Sequence, residues 1–308
     1  MFTLLLILAI LSVFSIAEKQ SCDQEDYIEK VAKWTRTLPI LVQQDEQRLK
    51  NLADFEPIDD PSLLRNEYYR IVSETQQTPC NVLKRIGGRW IKECGFLDGE
   101  KIVCMDNLYY DVKGGKCLIY SFGLADDWDF EVRMAKLGCQ VHAYDPNVEM
   151  PNKYKKLGLK NLHFHQIGLG GSIGSMKNGA ADGKVRQIPV LTLEEAIKRN
   201  GDEGKIVTYL KLDVEGAEFY ALPQISKSGV LQNIQQIGIE MHTGNRNLQN
   251  TKMVKKHLNS SLTVFKEMQE KYGFRLIAYN ANGCMGKKYC MTRSYHNYHD
   301  LVFYKPID

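Results

Sequence analysis

The residues with chemistry to offer sit at the ends of apolar runs. In "LKLDVEG", Asp213 directly follows a run fit for a buried strand, and Glu215 and Glu218 flank Gly216; "IGIEMH" ends a second run on Glu240 and His242. A carboxylate or imidazole so placed can orient an acceptor hydroxyl or take its proton, and a glycine lets the backbone turn closely past a ligand. Asp213 and His242 are the candidate bases, His242 because an unperturbed imidazole titrates near neutral pH. Glu215 and Glu218 suit the start of the following helix, where carboxylates favour the positive dipole end. Asp213, Glu215, Glu240 and His242 could converge, but their spacing matches no metal motif, and no metal site is predicted.

A second set lies upstream. "CLIYSFG" ends in Ser121-Phe122-Gly123, and "CQVHAYDP" ends on Asp145, 22 positions after Gly123. About 20 positions separate the glycine turn from the ribose-binding acid in nucleoside-binding sheets, so this pair points to a nucleoside cofactor. A dinucleotide needs a glycine-rich turn for its pyrophosphate, whereas "SFGLADDWDF" offers one glycine and several acids. Acids repel pyrophosphate but are compatible with a sulfonium and an amino group, so S-adenosylmethionine is the expected cofactor. At least two of Asp126, Asp127 and Asp129 are expected only to cap the next helix.

These residues need a scaffold. From residue 116, "KCLIYSFG", "CQVHAYDP", "NLHFHQIGLGG", "IVTYLKLDVEG" and "IQQIGIEMH" read as strands, with "FRLIAYN" and "HDLVFYKP" closing the set. Helices alternate with them: "DDWDFEVRMAKLG" stops at Gly138, "TLEEAIKRNG" has capping-box spacing from Thr192 to Glu195, and Leu262, Phe265, Met268 and Tyr272 line one face of a third. Alternation predicts a parallel sheet covered on both faces, with ligands outside the carboxyl ends of the strands. The long loop from Ala281 to His299 is a candidate substrate lid.

"CLIYSFGLADDWDFEVRMAKLGCQVHAYDP", "QIGLGG", "LKLDVEGAE" and "IGIEMH", in that order, resemble the methyltransferase-like proteins of the secretory pathway related to FkbM-type methyltransferases. The resemblance covers about residues 80 to 308. It implies an α/β, Rossmann-like, seven-stranded class I methyltransferase sheet, its last strand antiparallel, and O-methyltransferases as relatives. By position it puts Ser121, Gly123 and Asp126 at the cofactor's methionine half, Asp145 at its ribose, Gln166 and Ile167 at its adenine, and Asp213 at the sulfonium and acceptor. A hydroxyl-bearing acceptor, with a glycan as one form, is the expected partner. The reduced glycine loop keeps an alternative open: a non-catalytic secreted binding protein that retains the fold.

The chain has 308 residues, and its net charge of +3 comes from interspersed acids and bases with no basic stripe, so no nucleic-acid partner is indicated. Residues 18–78 read as an N-terminal helical extension, in which Tyr27, Val31 and Trp34 recur at helical spacing, and 79–308 as the methyltransferase domain. The apolar run Phe2 to Ala17 is short for a bilayer span and ends in small residues, which predicts a signal peptide over 1–17, or alternatively an uncleaved anchor. The expected location is secreted or lumenal, with no stable membrane span after cleavage. Eight cysteines without a CxxC pair fit disulfides in that compartment. Cys117 and Cys139 begin neighbouring strands and could meet; the other pairings stay open. Asn259-Ser260-Ser261 is the only glycosylation sequon.

Overall fold

A computed structural model describes residues 59, 64, 68–69, 71–72, 80–91, 96–125, 127–179, 185–243, 251–281 and 299–306. The expected signal peptide, Asp126 and nearly all of the expected lid lie outside the described residues. The strands are β1 (Leu83–Ile86), β2 (Arg89–Ile91), β3 (Phe96–Asp98), β4 (Lys101–Cys104), β5 (Leu118–Phe122), β6 (Gln140–Tyr144), β7 (Leu162–His165), β8 (Gly168–Leu169), β9 (Gly174–Gly179), β10 (Val185–Leu191), β11 (Tyr209–Leu212), β12 (Gln236–Met241), β13 (Arg275–Ala281) and β14 (His299–Tyr304). The helices are α1 (Met105–Lys113), α2 (Asp129–Leu137), α3 (Asn152–Lys155), α4 (Leu193–Arg199), α5 (Glu218–Ser228) and α6 (Thr251–Tyr272).

Seven strands form one sheet in the order β13-β14-β12-β11-β5-β6-β7. β7, β6, β5, β11 and β12 pair in parallel, while β14 runs antiparallel to both β12 and β13. This is the expected class I methyltransferase sheet, and its strand order reverses between β5 and β11. Alternation along the strands feeds two cores. Leu118, Tyr120 and Phe122 of β5 enter one with α4, α5 and α6, while Ile119 enters the other with α1 and α2.

Two expected helix signals hold. Thr192 caps α4, its hydroxyl accepting from the Glu195 amide at 3.2 Å, and Gly138 ends α2 in the left-handed region. α2 itself has no side-chain cap on Trp128; Asp127 instead accepts from the Asp129 amide at 2.9 Å, and Asp129 pairs with Arg133. The small sheet β8-β10-β9 adds to the expected set: Gly168–Leu169, expected within the third strand, pairs with β10 as a separate strand. Asn259 of the sequon lies inside α6.

Two pieces of chain reach the sheet from upstream. Leu64, Tyr68, Ile71 and Val72 are helical and join the same core as α5 and α6. β4 docks across the opposite face, its Cys104 backbone held at both N–H and C=O by the Gln236 side-chain amide at 2.9 Å. The Tyr209 hydroxyl crosses the Cα of Gly238 to donate to the Ile102 carbonyl at 3.0 Å, and a Cβ on Gly238 would lie 2.1 Å from that oxygen. Disulfides join Cys80 to Cys104 and, as the strand order suggested, Cys117 to Cys139.

Candidate active site at the strand ends

At the switch point the tips of β5 and β11 touch. Gly123 has φ +85° and lies so close to Asp213 that a Cβ would fall 1.6 Å from the Asp213 carbonyl oxygen; only glycine fits there. The Asp213 amide donates to the Phe122 carbonyl at 2.9 Å, and the Gly123 amide to the Tyr144 carbonyl at 2.8 Å. Three tips are thereby fixed by backbone alone.

Asp145, at the end of β6, is 6 % exposed. Its Oδ2 accepts from the amides of Leu124 at 2.9 Å and Ala125 at 3.0 Å, and its Oδ1 from Asn147 at 2.8 Å. A carboxylate has about four lone-pair sites, so this one secures the loop after β5 and has room for one further donor on Oδ1. Ala125 holds φ +47°, a strained value for a residue with a Cβ, and Asp145 is what anchors it. Gln166 is exposed and Ile167 half-buried just past β7. Ser121 is fully buried and donates to Glu131 of α2 at 2.5 Å.

On the other side an ionic network converges. Asp213 is 21 % exposed, with Oδ2 3.6 Å from the Lys101 ammonium and Oδ1 3.9 Å from His242 Nε2. Lys101, 2 % exposed, also binds Asp300 at 2.7 Å. Lys211 donates to the Gly123 carbonyl and lies 3.4 Å from Glu131. Burial alone would raise the Asp213 pKa, but Lys101, Lys211, a hydrogen bond from Glu240 and His242 together hold it well below the usual carboxylate range. Glu240 goes the opposite way, up to about 9, through burial and then the Asp213 charge, so it keeps its proton.

His242 sits among carboxylates. Its backbone N–H donates to Glu218 Oε1 at 2.8 Å, its Nδ1 to the same oxygen at 3.2 Å, and its Nε2 lies 3.5 Å from Glu215. Burial opposes charge here, yet Glu218, Asp213 and Glu240 raise the imidazole to about 10. A raised pKa favours the imidazolium, which has no lone pair to take a proton, so the carboxylates around His242 weigh against its expected role as a base near neutral pH. Glu218 does begin α5, as expected, but it is fully buried and serves His242 and the Gly216 amide as well as the helix dipole.

Asp213, Glu240 and His242 each bring a ligand atom within 4.8 Å of the others, so three of the four residues expected to be able to converge do so. They are the residues that could hold a divalent ion. Lys101, 3.6 Å from Asp213, brings a positive charge to the same carboxylate.

Sequence reading missed Lys101, Glu131, Lys211 and Asp300. The available signal was charge in apolar context: "KIVC" and "YLKL" each bury one lysine, and a buried charge requires a partner.

Residues 43–296 match a family model described as a methyltransferase domain. The chain belongs to that methyltransferase family. Its relatives include the probable methyltransferase-like protein 24 of Homo sapiens, 30 % identical over 149 residues, and that of Rattus norvegicus, 28 % identical over 153. Each match covers 46 % of this chain, and it spans 37 % of the human protein and 38 % of the rat protein. Among solved structures, methyltransferase FkbM from Methylobacillus flagellatus is similar with TM-score 0.36 at 11 % identity, over 89 % of this chain and 60 % of that one. The bifunctional kinase-methyltransferase WbdD is similar with TM-score 0.36 at 12 % identity, over 65 % and 37 %.

Proposed function

We propose that this methyltransferase uses S-adenosylmethionine to methylate a hydroxyl group in the secretory pathway. The observation that carries the reading is the meeting of Gly123 and Asp213 at the switch point, with an ionised, partly exposed carboxylate facing outward. Asp145 fits the cofactor through its remaining Oδ1 site. Just past the loop after β5, Asp127 Oδ2 and Trp128 Nε1 are buried without a hydrogen-bond partner among the described residues. The two disulfides support an oxidising location, and among the described residues no helix is long and apolar enough to cross a membrane.

When bound, S-adenosylmethionine supplies an electrophilic methyl carbon on sulfur, whose transfer to oxygen leaves S-adenosylhomocysteine and one proton. The chain's task is alignment and disposal of that proton. A carboxylate held far below its usual pKa is a weak base, so Asp213 chiefly orients the hydroxyl by accepting its hydrogen bond. As the acceptor oxygen becomes positive and strongly acidic, Asp213 takes the proton and passes it to water. Lys101 and His242 keep the carboxylate ionised until then.

Calorimetric titration with S-adenosylmethionine and S-adenosylhomocysteine, with NAD as control, tests the cofactor. Asp213→Asn should leave S-adenosylhomocysteine affinity unchanged and cut methyl transfer by about 10²–10⁴-fold; transfer at the wild-type rate would remove Asp213 from the chemistry. The three backbone bonds on Asp145 favour a second reading, a secreted binding protein that keeps the fold without catalysis. Folded protein that binds neither nucleoside would support it.

A further inference from the structure

Four rings gather beside the acceptor end of the network. Tyr68 and Tyr69 come from the upstream helical segment, Tyr279 from β13 and His299 from β14. The Tyr68 hydroxyl meets His299 Nε2 at 2.9 Å, and the Tyr69 hydroxyl meets Thr243 Oγ1 at 2.7 Å, one residue from His242. The Tyr68, Tyr69 and Tyr279 ring centroids lie 5.6, 5.5 and 5.7 Å from that of His299. Tyr68 and His299 are fully buried, whereas Tyr69 and Tyr279 are only partly so. Two buried rings thus brace two that keep accessible surface. This bracing ties the segment to the tips of β12 and β14, next to the Asp300 that holds Lys101.

We propose that Tyr69 and Tyr279 form the wall on which the acceptor rests, and that the acceptor is a pyranose ring. The inference rests on the methyltransferase reading and adds the substrate class and the residues that select it. A sugar ring presents an apolar C–H face that packs on an aromatic face, while its hydroxyls need hydrogen-bonding groups close by. Here the Tyr69 hydroxyl reaches Thr243, and the neighbouring His242 lies 3.9 Å from Asp213 and 3.5 Å from the exposed Glu215 carboxylate. A cationic ligand, the other partner of aromatic rings, fits less well: Asp213 is already answered by Lys101, and Glu215 and Glu218 by His242, so a second cation would have to share one of these carboxylates.

The test is saturation-transfer NMR on the S-adenosylhomocysteine-loaded protein with methyl pyranosides as probes and choline as the cationic control. Ring C–H protons of at least one pyranoside should saturate. Tyr69→Ala should weaken that binding about tenfold, the scale of one lost aromatic contact. Tyr69→Phe should retain it, and both variants should bind S-adenosylhomocysteine like wild type. Undiminished pyranoside binding in Tyr69→Ala would overturn the wall, and choline binding without any pyranoside would overturn the substrate class. Nucleoside binding with no pyranoside signal defeats this inference alone; pyranoside signal without nucleoside binding defeats the cofactor reading and leaves the wall standing.

Discussion

His142 and His242 are equally buried, 4 % and 2 % exposed, and hold opposite charge states. On β6, burial pushes His142 down to about 4; Asp202 opposes this from 3.2 Å, but it also serves the Tyr120 hydroxyl and Lys205, and His165, His163 and Lys205 add repulsion. After β12, burial works against charge on His242 just as strongly in kind, yet Glu218, Asp213 and Glu240 outweigh it. Burial does not decide the charge; the carboxylates left to answer it do. The halves of the sheet differ in the same way. β5, β6 and β7 align aromatic rings in register, Tyr120 with His142 and His163, and Phe122 with Tyr144 and His165. β11, β12 and β14 carry ions.

The ionic half should be the one that a single substitution damages most. Lys101→Met leaves Asp300 and Asp213 facing each other without their shared cation. Loss of one partner from a buried ion pair costs about 3 to 5 kcal/mol, to be read from urea unfolding. A loss under about 1 kcal/mol would mean that the carboxylates relax into water, and the contrast between halves would fail. In the other half, Asp145→Ala removes charge-assisted bonds from three amides and should cost about 2 to 3 kcal/mol. It should also weaken S-adenosylhomocysteine about tenfold, the worth of one such bond to ribose. Unchanged affinity would reduce Asp145 to a loop anchor and remove the ribose assignment.

The same division explains what the sequence disclosed. Gly123 and Asp145 belong to adjacent parallel strands joined by a single helix, so their separation is set by the length of one strand-helix-strand unit and can be counted along the chain. Asp213 was legible for a related reason, as the first polar residue after an apolar strand. The network around it was not. Lys101 meets Asp300 across 199 positions, and Tyr69 meets Thr243 across 174. No local pattern encodes contacts made by a strand laid across the sheet or by a segment packed from upstream. His242 shows the limit most plainly: its place at a strand end was readable, whereas its charge depends on Glu218 and Glu240, whose orientations only the fold determines.

Titration gives the gentlest test, since a single proton changes stability by at most about 1.4 kcal/mol per pH unit. His142 is depressed below its unfolded value of about 6.5, so the unfolded chain binds more protons there and stability falls as pH drops from about 6.5 towards 4. His242 is raised, so its contribution is complete below about 6.5 and is lost as pH rises towards 10. The two limbs can be separated: His142→Gln should flatten the acid side of the urea-midpoint profile, and His242→Gln the alkaline side. Ring nitrogen shifts of His242 supply the direct readout and should report an imidazolium up to about pH 9. A ring that instead titrates near 6.5 would erase the difference between the halves and restore His242 as a base, because a neutral Nε2 3.9 Å from Asp213 could take the acceptor's proton itself.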